Sequence, residues 1–159
     1  MIKNGLLIVN SPPAPVPSVL NIDHAWAAGF IDGEGCIRIA KNVSHGRVNP
    51  IYHVEMAISQ NRLDALKHCQ KVIGVQSSIC KFPDRKSFRR PVFLLTYLCA
   101  NARDALALLL PYLVRKQAEA RLALEFALRL QLRRGGNTPH SAEEIAIREE
   151  YYRRMKALK

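Results

Sequence analysis

The sequence predicts an α+β domain built on a four-stranded antiparallel sheet. Three observations predict it. The chain has 159 residues, 48% of them hydrophobic, which is enough for one packed core. Two pairs of segments alternate apolar and polar residues, as half-buried strands do. Helix signals come before, between and after those pairs, so the order reads α-β-β-α-β-β-α-α-α.

Residues 1–20 stand apart. Pro12, Pro13, Pro15 and Pro17 block helix, and the segment reads as a flexible Pro-rich leader. The folded domain runs over 21–159. Asp23 can cap a helix from His24 to Ile31, which Gly33 and Gly35 end. A first strand follows over Cys36–Ala40. After a loop from Asn42 to Pro50, Tyr52, Val54, Met56 and Ile58 share one face of a second strand. Ile51, His53, Glu55, Ala57 and Ser59 share the other. From Asn61 or Arg62 to Ile73 the pattern is helical, with Leu63, Leu66, Cys69 and Ile73 as its stripe and Gly74 as its stop. A third strand covers Gln76–Phe82, and a fourth, opened by Pro91, covers Val92–Leu98. Asn101 can cap a helix through Leu110. Pro111 can start another, which reaches about Arg134 and stops at Gly135-Gly136. Ser141 and Glu144 form a capping box for a last helix.

Lys and Arg number 24 against 13 Asp and Glu, a net charge of +11. On a chain with a real core that excess points to a polyanion, and nucleic acid is the leading candidate. No apolar run approaches the ~20 residues needed to span a bilayer, and no signal-peptide core is present, so no membrane role is expected. Cys36, Cys69, Cys80 and Cys99 have no zinc-ligand spacing. Scattered single cysteines without an export signal read as free thiols in a reducing, intracellular protein. A bacterial cytoplasm and an organelle are not distinguished.

The segment richest in chemistry is Trp26-Ala27-Ala28-Gly29-Phe30-Ile31-Asp32-Gly33-Glu34-Gly35. Ala25, Ala28 and Gly29 put small residues on one helical face, where another helix could approach closely. Glu34 lies between two glycines, so its carboxylate is uncrowded and the Gly33 carbonyl can turn outward. A hard cation such as Mg²⁺ takes such oxygens together with water and phosphate. The plainer reading is an ordinary helix end with a tight turn.

From Ala27 to Gly35 the run resembles the LAGLIDADG motif, with Ala27, Phe30, Gly33 and Glu34 as departures. The α-β-β-α-β-β-α order over about 22–135 agrees. The resemblance implies the LAGLIDADG homing endonuclease fold, with a DNA-binding sheet, an αββαββα core and extra C-terminal helices. It implies a site-specific homing endonuclease that makes a metal-dependent double-strand break in a long pseudo-palindromic site, promoting mobility of its host intron. The implied cofactor is Mg²⁺ or Mn²⁺, held by Glu34 and the Gly33 carbonyl. Gln60 matches the place of a glutamine that orients the water network; its alternative is a capping amide. Lys116 matches the active-site lysine; its alternative is a solvated helix cation. Arg62 is a candidate to complete the set, and Arg115 could replace Lys116. One motif supplies one acidic ligand for two strands, so a homodimer is implied, with Ala25, Ala28, Gly29 and Asp32 at the interface. An RNA-binding intron maturase, with intron RNA as partner, or a non-cutting DNA-binding protein can use the same fold.

For contact with double-stranded DNA, alternate side chains of the sheet can read base edges. Arg38 suits guanine and Asn42 adenine. His53 and Glu55 lie on the matching face; Glu55 could accept from cytosine or pair with Arg38 across the strands. Arg47 in one hairpin loop, and Lys81, Arg85, Lys86, Arg89 and Arg90 at the other, suit phosphates.

Overall fold

The computed structural model describes residues 21–43, 45–46, 48–82, 90–132 and 140–159. The leader, Arg47, Arg85, Lys86, Arg89 and Gly135-Gly136 lie outside them. The elements in chain order are α1 (Ile22–Glu34), β1 (Gly35–Asn42), β2 (Ile51–Gln60), α2 (Leu63–Ile73), β3 (Ser78–Lys81) and β4 (Phe93–Leu98). Then come α3 (Cys99–Leu109), a 3-10 turn (Leu110–Tyr112), α4 (Gln117–Leu132) and α5 (Ala142–Ala157). The α+β class and the expected order hold.

The sheet is antiparallel throughout, in the order β1-β2-β4-β3. Its register puts Ile37 opposite Met56, Ile39 opposite Val54, and Leu95 opposite both Ile58 and Ile79. These residues, with Tyr52 and Tyr97, form one apolar face that α1, α2, α3 and α4 cover. All of them but the half-buried Ile79 are buried. The opposite face carries Cys36, Arg38, Ala40 and Asn42 on β1, and His53, Glu55, Ala57 and Ser59 on β2. Leu94, Thr96 and Leu98 of β4 join that face. So the apolar look of the fourth strand has two sources, a core row and an open row. All four cysteines are free thiols; burial pushes the Cys69 thiol up to about 12.

The helix ends depart from the sequence reading in four places. Asn21, not Asp23, caps α1, and its Oδ1 accepts from the N–H groups of Asp23 and His24 at 3.1 and 3.2 Å. The helix also runs on through Asp32, Gly33 and Glu34. Asn101 caps nothing: α3 begins at Cys99, where the backbone turns to φ +53 and reverses from strand to helix without a loop. Pro111 sits in the 3-10 turn, and α4 starts later, at Gln117. Gly74 ends α2 as expected, in the left-handed region at φ 68.

Helix α5 is a structural strap. Ser141 caps it, accepting from the Glu144 N–H at 3.2 Å. The buried Glu144 carboxylate accepts from Arg129 of α4 and Arg148 of α5, both at 2.9 Å. Burial opposes its ionisation, but the two guanidinium groups outweigh it and hold the carboxyl below its usual range. Glu149 accepts from Lys41 of β1 at 2.7 Å and from the Tyr52 hydroxyl, which fastens α5 to the edge of the sheet.

Candidate active site and nucleic-acid interface

The last turn of α1 is built from two carboxylates with opposite surroundings. Asp32 turns toward the chain entering α4. Its carboxylate accepts the backbone N–H groups of Val114 at 2.7 Å, Lys116 at 2.9 Å and Arg115 at 3.2 Å. Partial burial works against ionisation, yet these three donors and the Lys116 charge prevail, so the carboxyl is held below its usual range. Glu34 is exposed, and no hydrogen bond or ion pair with a described residue engages it.

The carbonyls of that turn divide in the same way. A helix leaves its last carbonyls unpaired and carries partial negative charge at that end. The Ile31 carbonyl accepts from the Gly35 N–H. The Asp32 carbonyl accepts from Lys116 Nζ at 2.5 Å. The Gly33 carbonyl has no partner among the described residues. Successive residues at the negative pole of the helix, Gly33 and Glu34, thus carry a carbonyl and a carboxylate with no partner among the described residues, and the carbonyl before them holds the Lys116 ammonium.

Lys116 is no solvated helix cation. It is 9% exposed and occupies the position before α4, its carbonyl accepting the Ala120 N–H. Arg115 is the more exposed neighbour and reaches the Asp32 carbonyl at 3.5 Å. Gln60 ends β2 two residues beyond Ile58, the partner of Gly35, which puts it ~7 Å along the strand from the foot of α1. Arg62 pairs instead with Asp64 at 2.6 Å, outside this group. Gly33, Gly35, Arg115, Lys116, Glu119 and Lys159 help to line a cleft of about 430 Å³. Lys159 and Glu119 were not singled out from the sequence. Lys159 comes 123 residues after Cys36, whose sulfur its ammonium reaches at 3.2 Å, and no local pattern signals that contact.

Among the described residues no group of three His, Cys, Asp or Glu side chains could hold a metal by itself. Mg²⁺ does not need one: it keeps water and substrate phosphate in its shell and takes one or two protein carboxylates. The unengaged Glu34 and Gly33 oxygens fit that requirement.

No family profile and no curated protein matches the chain. Solved structures do. The homing endonuclease I-CvuI, in complex with the I-CreI target, matches with a TM-score of 0.59 and 21% identity over 85% of this chain and 95% of that one. The archaeal intron-encoded homing endonuclease I-Vdi141I, complexed with DNA, matches with a TM-score of 0.69 and 12% identity over 87% of this chain and 85% of that one. The LAGLIDADG homing endonuclease I-GzeII, in complex with its DNA target, matches at 0.63 and 14% over 84% of this chain but 43% of that one. This chain has the LAGLIDADG homing endonuclease fold.

The run that resembles the LAGLIDADG motif lies on α1, and the two flanks of that helix differ in exposure. Ala28 is fully buried in this chain's own core with Ala27 and Ile31, so it has no surface to give a partner. Ala25 and Gly29 are exposed, and a Cβ built on Gly29 or Gly33 meets nothing within 4 Å. Asp32 is spent on the start of α4. The open flank is therefore Ile22, Ala25, Gly29 and Gly33.

On the sheet, Arg38 and Glu55 are directly opposite and joined at 2.6 Å. Glu55 is 8% exposed, so a base would meet Arg38 before Glu55. His53 is half-buried with Nε2 3.9 Å from Glu55. Asn42 is exposed at the end of β1. Lys81 and Arg90 are exposed at the base of the second hairpin, with Lys81 on the helix-covered side of the register. Among the described residues, no helix is long and apolar enough to cross a membrane.

Proposed function

We propose that the chain is a site-specific DNA endonuclease that makes a metal-dependent double-strand break and promotes mobility of its host intron. The observation that carries this reading is the end of α1, where Glu34 and the Gly33 carbonyl have no partner among the described residues and the Asp32 carbonyl holds Lys116. Mg²⁺ or Mn²⁺ held there would supply charge neutralisation at the scissile phosphate and an acidified water. Lys116, fixed by the Asp32 carbonyl, places a positive charge where phosphate charge develops. Gln60 is the candidate to orient water. Arg38, Asn42 and His53 face the groove, and the basic residues at 81–90 with Arg47 grip phosphates.

One LAGLIDADG helix gives one Glu34, and a duplex has two strands. A homodimer closed through Ala25 and Gly29 supplies the second. The match to under half of I-GzeII and nearly all of I-CvuI fits a chain that is one half of a working unit.

The test is cleavage of the joined exon sequence that flanks the open reading frame. Wild-type protein with Mg²⁺ should cut it on both strands, and chelator should stop it. Glu34→Gln should bind the same duplex and leave it intact. Wild-type binding without cleavage would favour the non-cutting or maturase reading.

A further inference from the structure

The open face of the sheet carries one polar unit that is assembled before DNA arrives. Arg38 Nη2 donates to Glu55 Oε1, and Glu55 Oε2 faces His53. The carboxylate side chain is 10% exposed and the arginine side chain 52%. The pair leaves its guanidinium half open to solvent. What it supplies is orientation, because the buried carboxylate removes rotamer freedom that Arg38 would otherwise lose on binding. A guanidinium has five donors in a planar fork, and the bond to Glu55 uses one of them. In the major groove guanine presents two adjacent acceptors, O6 and N7, that match such a fork. The neighbours on this face, Cys36, Ala40, Ala57 and Leu98, offer no comparable fork. Base discrimination on this part of the sheet therefore concentrates on Arg38.

Its place along the DNA follows from the strand. Arg38 is the fourth residue of β1, which begins directly after Glu34. At ~3.3 Å per residue, Arg38 lies ~10 Å from the start of the strand. A DNA strand advances 3.4 Å per nucleotide, so with β1 laid along the groove that distance is about three base pairs. We propose that Arg38, held by Glu55, reads a guanine about three base pairs outside each cut, and that Glu55 is a positioning residue and not a base contact. This rests on the cleavage reading above and on Glu34 marking the cut.

The experiment selects bound duplexes from a library randomised through the half-sites, using wild type, Arg38→Ala and Glu55→Gln in Ca²⁺ buffer. Cut positions on the selected wild-type site are then mapped with Mg²⁺. Arg38→Ala should lose a guanine preference of about tenfold or more at one position per half-site and keep the others. Replacing that guanine by 7-deazaguanine should weaken wild type and leave Arg38→Ala unchanged. Glu55→Gln should weaken the same preference with a melting temperature close to wild type, a split that a merely structural role would not give. An Arg38→Ala preference identical to wild type overturns the proposal while leaving the nuclease reading intact. A full guanine preference in Glu55→Gln overturns the positioning role. A wild type that selects no sequence, or selects one and never cuts it, overturns the proposed function instead.

Discussion

The two flanks of α1 have similar sequences and opposite fates. Ala27, Ala28 and Ile31 are fully buried against the sheet and its covering helices. Ala25, Gly29 and Gly33 face open space. The last turn repeats the contrast with two carboxylates two residues apart: Asp32 is satisfied by three backbone donors, and Glu34 by none. The difference teaches that small and acidic residues in this helix divide between holding the chain together and standing open to solvent.

Substitutions can break that division in order of size. Glu34→Gln should cost on the order of a thousandfold in cleavage, since charge stabilisation through a metal supplies several kcal/mol. Its urea midpoint should match wild type, because no described residue bonds to the carboxylate. Asp32→Ala should do the reverse and lose about 2–3 kcal/mol of stability, since it strands three N–H groups that had a charged acceptor; chemical denaturation measures this directly. Ala28→Leu should cost about 1–3 kcal/mol by overpacking the buried flank. Gly29→Ala should stabilise the free chain by about 0.5–1 kcal/mol through helix propensity, read as a higher melting temperature. The same change should weaken self-association on target DNA in sedimentation, if the open flank is the pairing surface.

The Asp32 contribution also has a pH signature. Its folded-state carboxyl titrates below the unfolded value, so its stabilisation is complete above about pH 3.9 and fades as pH falls through the lower folded value. Wild type and Asp32→Asn should differ most near neutrality and converge in acid, read as denaturation midpoints across pH.

Local chemistry made much of this legible from the sequence. The alternation of Tyr52, Val54, Met56 and Ile58 marked the core face of β2, and Gly74 and Ser141 marked helix ends by the groups those ends require. Other ends were ambiguous for physical reasons. Asn21 and Asp23 are both good caps, and only the chain's path chooses between them. Pro111 suits the first turn of an α-helix and a 3-10 turn alike. Of the candidate site, Glu34 stands out through the motif and Lys116 through its match to the family's active-site lysine. The burial of Lys116 and its hold on Asp32 join residues 84 apart, and no window of sequence encodes such a pairing. The motif implies an interface place for Asp32, whereas within the chain its carboxylate is taken by the backbone leading into α4.

The junction of α1 and β1 carries one last consequence. No residue separates them, since Glu34 ends the helix and Gly35 begins the strand. A Cβ on Gly35 would lie 2.8 Å from the Ile31 carbonyl oxygen, so only glycine lets the two elements meet this tightly. The strand and the helix thus form a single bent lever with its fulcrum at Gly35. With no loop between the arms, the Gly35 backbone alone sets where the Glu34 carboxylate stands relative to the open face of β1.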